Sequence, residues 1–202
     1  MRRSVVINRE FGSGGREVAR MLAERAQLDF YDTQLLQDAA ARRGLDPGQF
    51  EAFDERLAAG QYLNLSMLGI ADTQGSALPF RMFGAIADVI KDAAREKPGV
   101  FVGRCADVIL RDASLPLRSV FIYSTDRQAK IARAVEVDGV PVKDADKYIT
   151  TMDKTRSRYQ MFFTNTHFGE LRQYDLCLNS AQLSYQQCVA AILASLSDES
   201  EA

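Results

Sequence analysis

The chain has 202 residues, of which 47% are hydrophobic, and its formal net charge at pH 7 is −2. A chain of this length buries one sizeable core, so we expect a single domain over residues 1–202. The near balance of 25 basic and 27 acidic residues excludes a global field that would draw the protein onto nucleic acid or an anionic membrane. Three widely spaced cysteines match no disulfide scaffold or zinc site, and no apolar stretch has the length of a membrane span or a signal-peptide core. We therefore expect a cytoplasmic protein.

Short apolar runs alternate with amphipathic patterns along the chain. Near-continuous apolar character predicts buried strands, which are Ser4–Ile7, Asp29–Tyr31, Val100–Val102, Ser119–Tyr123 and Leu176–Leu178. Between these runs, apolar stripes at helical spacing predict helices that pack on the sheet. The alternation predicts a three-layer α/β fold with a parallel sheet of about five strands. In such folds, ligands bind at the carboxyl ends of the strands.

Three longer helical regions are predicted around this sheet. Residues 34–95 are helical or loop-like without a strong strand, which predicts a helical insertion over the functional edge of the sheet. Thr125 and Gln128 form a capping-box pattern that predicts a helix through Val137. A further amphipathic stripe predicts a helix over residues 145–163.

A glycine-rich turn follows the first predicted strand and precedes the first helix. The turn consists of Gly12, Ser13, Gly14, Gly15, Arg16 and Glu17. Backbone N–H groups in such a turn close around a phosphate, and the helix N-terminus adds a favourable dipole. Arg16 would supply a positive charge. The alternative is a tight strand-to-helix connection in which the glycines only satisfy the backbone geometry.

This turn departs from the Walker A motif, Gly-x-x-x-x-Gly-Lys-Ser/Thr. Either Gly15-Arg16 or Arg16-Glu17 stands where the motif has its lysine and hydroxyl residue. The lysine normally reaches the transferring phosphates and the hydroxyl holds magnesium, so two contributions to phosphoryl transfer are missing. A dinucleotide-binding motif also fails, because Glu17 occupies the place of its third glycine.

Arginines in the second half of the chain suit the binding of phosphate groups. Arg127, Lys130 and Arg133 recur every three residues and are therefore expected to share one face of a predicted helix, and Arg156 and Arg158 lie on the next helix. The planar guanidinium binds phosphate through two hydrogen bonds and stays charged. Two such helix faces would close over a phosphate donor. The alternative is a pair of solvated basic faces.

Several segments, in the same order along the chain, resemble cytidylate kinase, which is a P-loop nucleoside-monophosphate kinase. They are Tyr31-Asp32-Thr33, Val102-Gly103-Arg104, the strand 120–127 with Arg133 beyond it, Asp153-Lys154-Thr155-Arg156, and the segment 174–180. The loop Arg-Glu-Phe-Gly-Ser-Gly-Gly-Arg-Glu resembles that of bacterial proteins described as cytidylate-kinase-like. Outside the loop, the chain departs from cytidylate kinase at Asp38 and Cys105, where that family has an arginine and an aspartate.

The resemblance implies a P-loop kinase-like fold with a lid over residues 127–165. It implies a kinase that uses ATP and Mg²⁺ and transfers the γ-phosphate to a nucleoside monophosphate such as CMP. Loop residues 12–17 would bind ATP, and the catalytic arginines would be Arg16, Arg127, Arg133 and Arg156. The acceptor would be bound by Asp32, Arg104 and Asp153. The magnesium ligands, the oligomeric state and the partners beyond a small-molecule nucleotide are not assigned by the sequence.

Structural or non-catalytic alternatives stay open at this stage. Asp32 would equally cap the following helix, and Asp153 would pair with a neighbouring lysine. Because two motif residues are missing from the loop, the protein could be a non-catalytic nucleotide-binding pseudokinase with a regulatory role. Altered acceptor residues equally allow a kinase for another small molecule, or an interaction module that keeps only the fold. His167, the single histidine, has no partner at the spacing of a hydrolytic triad.

Overall fold

The computed structural model describes residues 3–41, 44 and 77–197 of the chain. Its strands are β1 (Ser4–Arg9), β2 (Asp29–Tyr31), β3 (Gly99–Val102), β4 (Leu117–Tyr123) and β5 (Leu176–Asn179). All five are parallel and form one sheet in the order β2-β3-β1-β4-β5. Each strand contains one of the apolar runs that predicted it.

Helices lie between successive strands, as parallel pairing requires, and one more helix follows the last strand. The helices are α1 (Gly15–Ala26), α2 (Thr33–Ala41), α3 (Ala77–Glu96), α4 (Ala106–Asp112), α5 (Arg127–Glu136), α6 (Val142–Thr164) and α7 (Tyr185–Ser197). A short 3₁₀ helix at Leu171–Gln173 precedes β5. None of the helices in the described part of the chain is long and apolar enough to cross a membrane.

The sheet is covered by helices on both faces, with β1 at its centre. Neighbouring residues of a strand point to opposite faces, so Val6 packs in a cluster with Ile86 of α3, whereas Val5 packs in a cluster with Leu22 of α1 and Ile192 of α7. All five side chains are at most 1% exposed, and burial of each stabilises the fold by roughly 1.5–3 kcal/mol. The predicted three-layer α/β fold is confirmed.

The region predicted as a helical insertion, residues 34–95, is described only in part. Residues 45–76 lie outside the described residues. At the C-terminal end of the region, α3 places Met82, Ile86 and Ile90 in the core of the sheet. That part of the predicted insertion therefore belongs to a layer that covers the sheet.

The start of α5 differs by one residue from the predicted capping box. Asp126, and not Thr125, is the N-cap, because its carboxylate accepts a hydrogen bond from the Ala129 N–H at 2.9 Å. The Thr125 hydroxyl instead accepts a hydrogen bond from the Asn179 side chain at 2.9 Å. The prediction of the cap was wrong, since a carboxylate one residue further on is an equally good capping group.

We expect Asp126→Ala to lower the free energy of unfolding by about 1 kcal/mol, because the Ala129 N–H loses its acceptor. Urea denaturation of the two proteins measures the difference. Gln128→Ala is the matched control, since a capping box would depend on Gln128 and the observed cap does not. A larger loss of unfolding free energy for Gln128→Ala than for Asp126→Ala would instead support the predicted capping box.

Candidate active site

The glycine-rich turn connects β1 to α1 at the carboxyl ends of the strands. Gly14 is the N-cap of α1 and has φ 76°, and Gly12 has φ 74°, so both adopt the left-handed conformation that glycine tolerates best. A Cβ on Gly12 would lie 2.9 Å from the carbonyl oxygen of Lys130 in α5. The loop therefore needs glycine both for its backbone conformation and for its contact with α5.

Hydrogen bonding in the loop leaves several donors for a ligand. The Ser13 hydroxyl points inward and donates to the carbonyl oxygen of Glu10 at 2.9 Å. Among the described residues, no acceptor is found for the backbone N–H groups of Gly12, Gly14, Gly15 and Arg16. These groups surround the N-terminus of α1, where the helix dipole favours an anion.

Two cavities lie at the carboxyl ends of the strands. The loop cavity, of about 540 Å³, is lined by every predicted loop residue from Gly12 to Glu17 except Ser13, together with Asp32 and Arg133. The inner cavity, of about 280 Å³, lies between the strand ends and α6 and is lined by Arg104. The residues shared by the two cavities are Arg9, Thr33 and Arg156. Ligands in the two cavities would therefore meet at two arginines.

Four guanidinium groups converge on this junction, from Arg9, Arg16, Arg104 and Arg156. Burial, and then repulsion from the other three guanidinium groups, lowers the pKa of Arg9 well below its usual value, and Asp32 acts in the opposite direction. Arg156 donates to the carbonyl oxygen of Arg9 at 2.9 Å, and Arg104 lies over the Tyr159 ring at 4.9 Å. The positive charge gathered around the buried Arg9 guanidinium favours an anionic ligand at the junction.

Arg9 was missed in the sequence analysis. It is the last residue of β1 and directly precedes the glycine-rich turn. An arginine at the end of a strand does not by itself indicate a binding residue, because the direction of its side chain depends on how the strand ends. Its position at the carboxyl end of a central strand is the feature that could have identified it.

Asp32 has the capping role that the sequence left open as an alternative, and it also contacts the glycine-rich turn. It caps α2, because its carboxylate accepts a hydrogen bond from the Leu35 N–H at 3.0 Å. Its second oxygen contacts the Arg16 guanidinium. Burial raises the pKa of Asp32, but the Leu35 and Arg16 hydrogen bonds outweigh burial, so its pKa is lower than usual. Asp32 is therefore held as a carboxylate beside the loop.

Arg133 lines the loop cavity and is anchored to α1 and α7. Its guanidinium pairs with Glu17 at 2.6 Å and donates to the Tyr185 hydroxyl at 3.4 Å. A side cavity of about 260 Å³ adjoins it, lined by Gly12, Arg133, Tyr185 and Ala181 among others. Arg133 therefore lies between the loop cavity and the side cavity.

Arg127 does not join the other arginines of the site. It pairs with Asp146 at 2.8 Å and donates to Thr150 at 2.7 Å on the exposed side of α6, and it lines none of these three cavities. A spacing of three residues falls short of a helical turn, so Arg127 and Arg133 lie about 120° apart around α5. The expectation that one face of α5 carries all three cations was therefore wrong.

Lys130 and Asp153 join the loop to α6. The Lys130 side chain is 5% exposed, and its ammonium lies 3.0 Å from Glu10 and 3.3 Å from Asp153. Asp153 also accepts a hydrogen bond from the Phe11 N–H at 2.6 Å, and it lines neither the loop cavity nor the inner cavity. The position of Asp153 thus matches its lysine-pairing alternative, with Lys130 as the partner.

A buried polar cluster lies beside the inner cavity. Asn8, which lines that cavity, donates to Asp107 at 3.1 Å, and the second Asp107 oxygen has no hydrogen-bond partner within the part of the chain that the structure describes. Burial raises the pKa of Asp107 above its usual value. Burial likewise raises the pKa of the Cys105 thiol, which makes it a packing residue and not a nucleophile.

We expect Lys130→Met to lower the free energy of unfolding by about 3 kcal/mol, because Glu10 and Asp153 would lose a buried counter-charge. Arg127→Met, on the same helix, removes an exposed ion pair and should cost about 1 kcal/mol or less. Urea denaturation measures both. Equal losses for the two variants would contradict a structural role for the buried pair of Lys130.

The fold has counterparts among solved structures. An uncharacterized protein from Eubacterium ventriosum is 27% identical, with a TM-score of 0.71, over 97% of this chain and 99% of that chain. Shikimate kinase from Bacteroides thetaiotaomicron is 14% identical, with a TM-score of 0.56, over 97% and 99%. Shikimate kinase from Acinetobacter baumannii, in complex with shikimate, is 13% identical, with a TM-score of 0.52, over 100% and 97%. At these identities the two kinases show the fold alone.

The family is shown by sequence. A search of curated proteins found no match. The family model described as the cytidylate kinase-like family matches residues 4–182, which is most of the chain. The chain therefore belongs to the cytidylate kinase-like family, and membership of that family supports a phosphotransferase.

Proposed function

We propose that the protein transfers the γ-phosphoryl group of ATP to a small acceptor that itself carries a phosphate group, with CMP as the first candidate. The observation that carries this proposal is the pair of cavities that share Arg9 and Arg156. A donor in one cavity and an acceptor in the other would bring their phosphates together between two fixed cations. Phosphoryl transfer depends mainly on such positioning and on neutralisation of charge.

The donor phosphates would lie in the loop cavity. The backbone N–H groups of residues 12, 14, 15 and 16 supply an anion cradle, with Arg16 beside it. The side cavity beyond Arg133, with Tyr185 on its wall, would hold the nucleoside. The residues present therefore fit a nucleoside triphosphate.

Magnesium would be held mainly through the donor phosphates. Among the described residues, no three His, Cys, Asp or Glu side chains are grouped as a metal site. Mg²⁺ often uses only one or two carboxylates together with waters and phosphates. Four carboxylates line the loop cavity, from Glu10, Glu17, Asp32 and Asp138, and those of Glu17 and Asp32 are each held by an arginine. When bound, the ion would neutralise charge on the phosphates.

In the transfer itself, an acceptor oxygen forms a bond to the γ-phosphorus, and the bond from that phosphorus to the β,γ-bridging oxygen breaks. ADP leaves with the electron pair of that bond. Arg156 lines both cavities and would neutralise the charge on the equatorial oxygens. Since a phosphate acceptor is already an anion, no general base is required for its attack.

The acceptor would lie in the inner cavity, with its phosphate on Arg104. That cavity also contains two aromatic side chains, Tyr159 and Phe168, which provide apolar surface for a base or another ring. Helices α5 and α6, within residues 127–165, would act as a lid over a single domain of residues 1–202. Closure of such a lid excludes water and so suppresses hydrolysis of the donor.

A second candidate function is nucleotide binding without turnover. It is favoured by Arg16, which pairs with Asp32 and offers no hydroxyl to a magnesium ion. Transfer to an acceptor separates the two candidates. ADP formed from ATP only when CMP or another phosphate-bearing acceptor is present would support the kinase, and tight ATP binding without transfer would support the alternative.

We expect Arg16→Ala to weaken ATP–Mg²⁺ binding about tenfold, because a charge-assisted hydrogen bond at the phosphates would be lost. Calorimetric titration measures the affinity. Arg20→Ala is the matched control on the same helix, since Arg20 is exposed, lies 5.7 Å from the Phe30 ring and lines none of the three cavities. Absence of ATP binding by the unaltered protein would reject both candidate functions.

We expect Arg104→Met to raise the KM of the acceptor more than tenfold while the affinity for ATP stays within about twofold, because Arg104 lines only the inner cavity. Steady-state kinetics with a panel of nucleoside monophosphates measures the KM, and calorimetry measures ATP binding. A parallel loss of ATP affinity would contradict separate donor and acceptor cavities.

A further inference from the structure

The start of α1 fixes how the loop corresponds to the Walker A motif. In that motif, a lysine follows the second glycine directly at the strand-to-helix turn. Here Gly14 is the left-handed N-cap and α1 begins at Gly15. With Gly14 as the second glycine, Gly15 stands at the lysine position, Arg16 at the hydroxyl position and Arg9 at the position of the first glycine. Compared with the motif, the glycine and the basic residue have therefore exchanged positions, with Arg9 at the first-glycine position and Gly15 at the lysine position.

The backbone conformation at position 15 does not require glycine. Unlike Gly12 and Gly14, Gly15 does not have a positive φ, and glycine is a poor residue for a helix. What a side chain at this position would meet is Arg9, since a Cβ on Gly15 would lie 2.5 Å from the Arg9 Cβ and 3.0 Å from its Cγ. The stem of Arg9 thus occupies the space in which a lysine at position 15 would begin.

The other end of Arg9 reaches across the site. Its guanidinium lies against Gly103 at the end of β3, where a Cβ would overlap it. Arg9 lines both the loop cavity and the inner cavity. No hydrogen bond or ion pair to its guanidinium is found among the residues that the structure describes. Its donors are therefore available to a ligand at the junction of the cavities.

We propose that Arg9 binds the terminal phosphates of the nucleotide in place of the absent loop lysine, and that Gly15 is glycine because the Arg9 side chain needs its space. This proposal rests on the proposed function, since it assigns a ligand to the same loop. Arginine suits the role, because its planar fork forms two parallel hydrogen bonds with phosphate oxygens. The cation that reaches the terminal phosphates then comes from Arg9 at the end of β1 and not from the first turn of α1.

The test is a reciprocal exchange that rebuilds the motif. Arg9→Gly alone should weaken ATP–Mg²⁺ binding at least tenfold, as measured by calorimetry. Arg9→Gly combined with Gly15→Lys should recover most of this loss, because a lysine now rises from the vacated space. Arg9→Gly combined with Gly15→Ala is the matched control, since it fills the same space without a charge. It should bind no better than Arg9→Gly.

The outcomes separate this inference from the function on which it rests. If the unaltered protein binds ATP but Arg9→Gly binds equally well, Arg9 is no phosphate ligand. If the lysine and alanine double variants bind alike, the exchange is a matter of packing and the inference is overturned. Thermal unfolding of all variants identifies loss of folding. If the unaltered protein does not bind ATP, the proposed function fails and this inference fails with it.

Discussion

Like-charge repulsion among the arginines at the carboxyl ends of the strands is the constraint on which the site depends. Arg9, Arg16, Arg104 and Arg156 come from different elements, and the carboxylates of Asp32 and Asp153 lie against Arg16 and Arg156 respectively. Such a concentration of positive charge lowers stability in the absence of a ligand. Parallel strands that end at one edge bring these elements together, so the topology itself creates a site that an anion stabilises.

A buried lysine anchors the glycine-rich loop beside these arginines. Lys130 lies between Glu10, at the start of the loop, and Asp153 of α6, and Asp153 also receives the Phe11 N–H. Opposite charges at short range in a poorly solvated position offset part of the desolvation cost. Since α5 contributes Lys130 and α6 contributes Asp153 and Arg156, movement of these helices would change the loop and the junction together.

Sequence patterns predicted the sheet well because its central strands, β1, β3 and β4, are largely buried and read as continuous apolar runs. Sequence patterns failed where one or two residues decide which residue caps a helix or where a side chain points. The cap of α5 shifted from Thr125 to Asp126, and Arg127 pointed away from Arg133 because three-residue spacing drifts around a helix. Arg9 escaped notice since strand ends carry no periodicity. Local pattern fixes elements, whereas side-chain direction at their ends depends on tertiary contacts.

The two departures of the loop from the Walker A motif differ in weight. The missing lysine is matched by Arg9, whose stem fills the space beside Gly15, so a cation still reaches the junction of the cavities. The missing hydroxyl has no such counterpart, because Arg16 takes its place and the carboxylate of Asp32 is engaged by Arg16. If Arg9 binds as proposed, charge neutralisation at the phosphates is retained, whereas the loop hydroxyl that would bind magnesium is missing. Turnover by this fold then depends on whether a phosphate-bound ion, held mainly by water and the donor, is positioned well enough for in-line transfer.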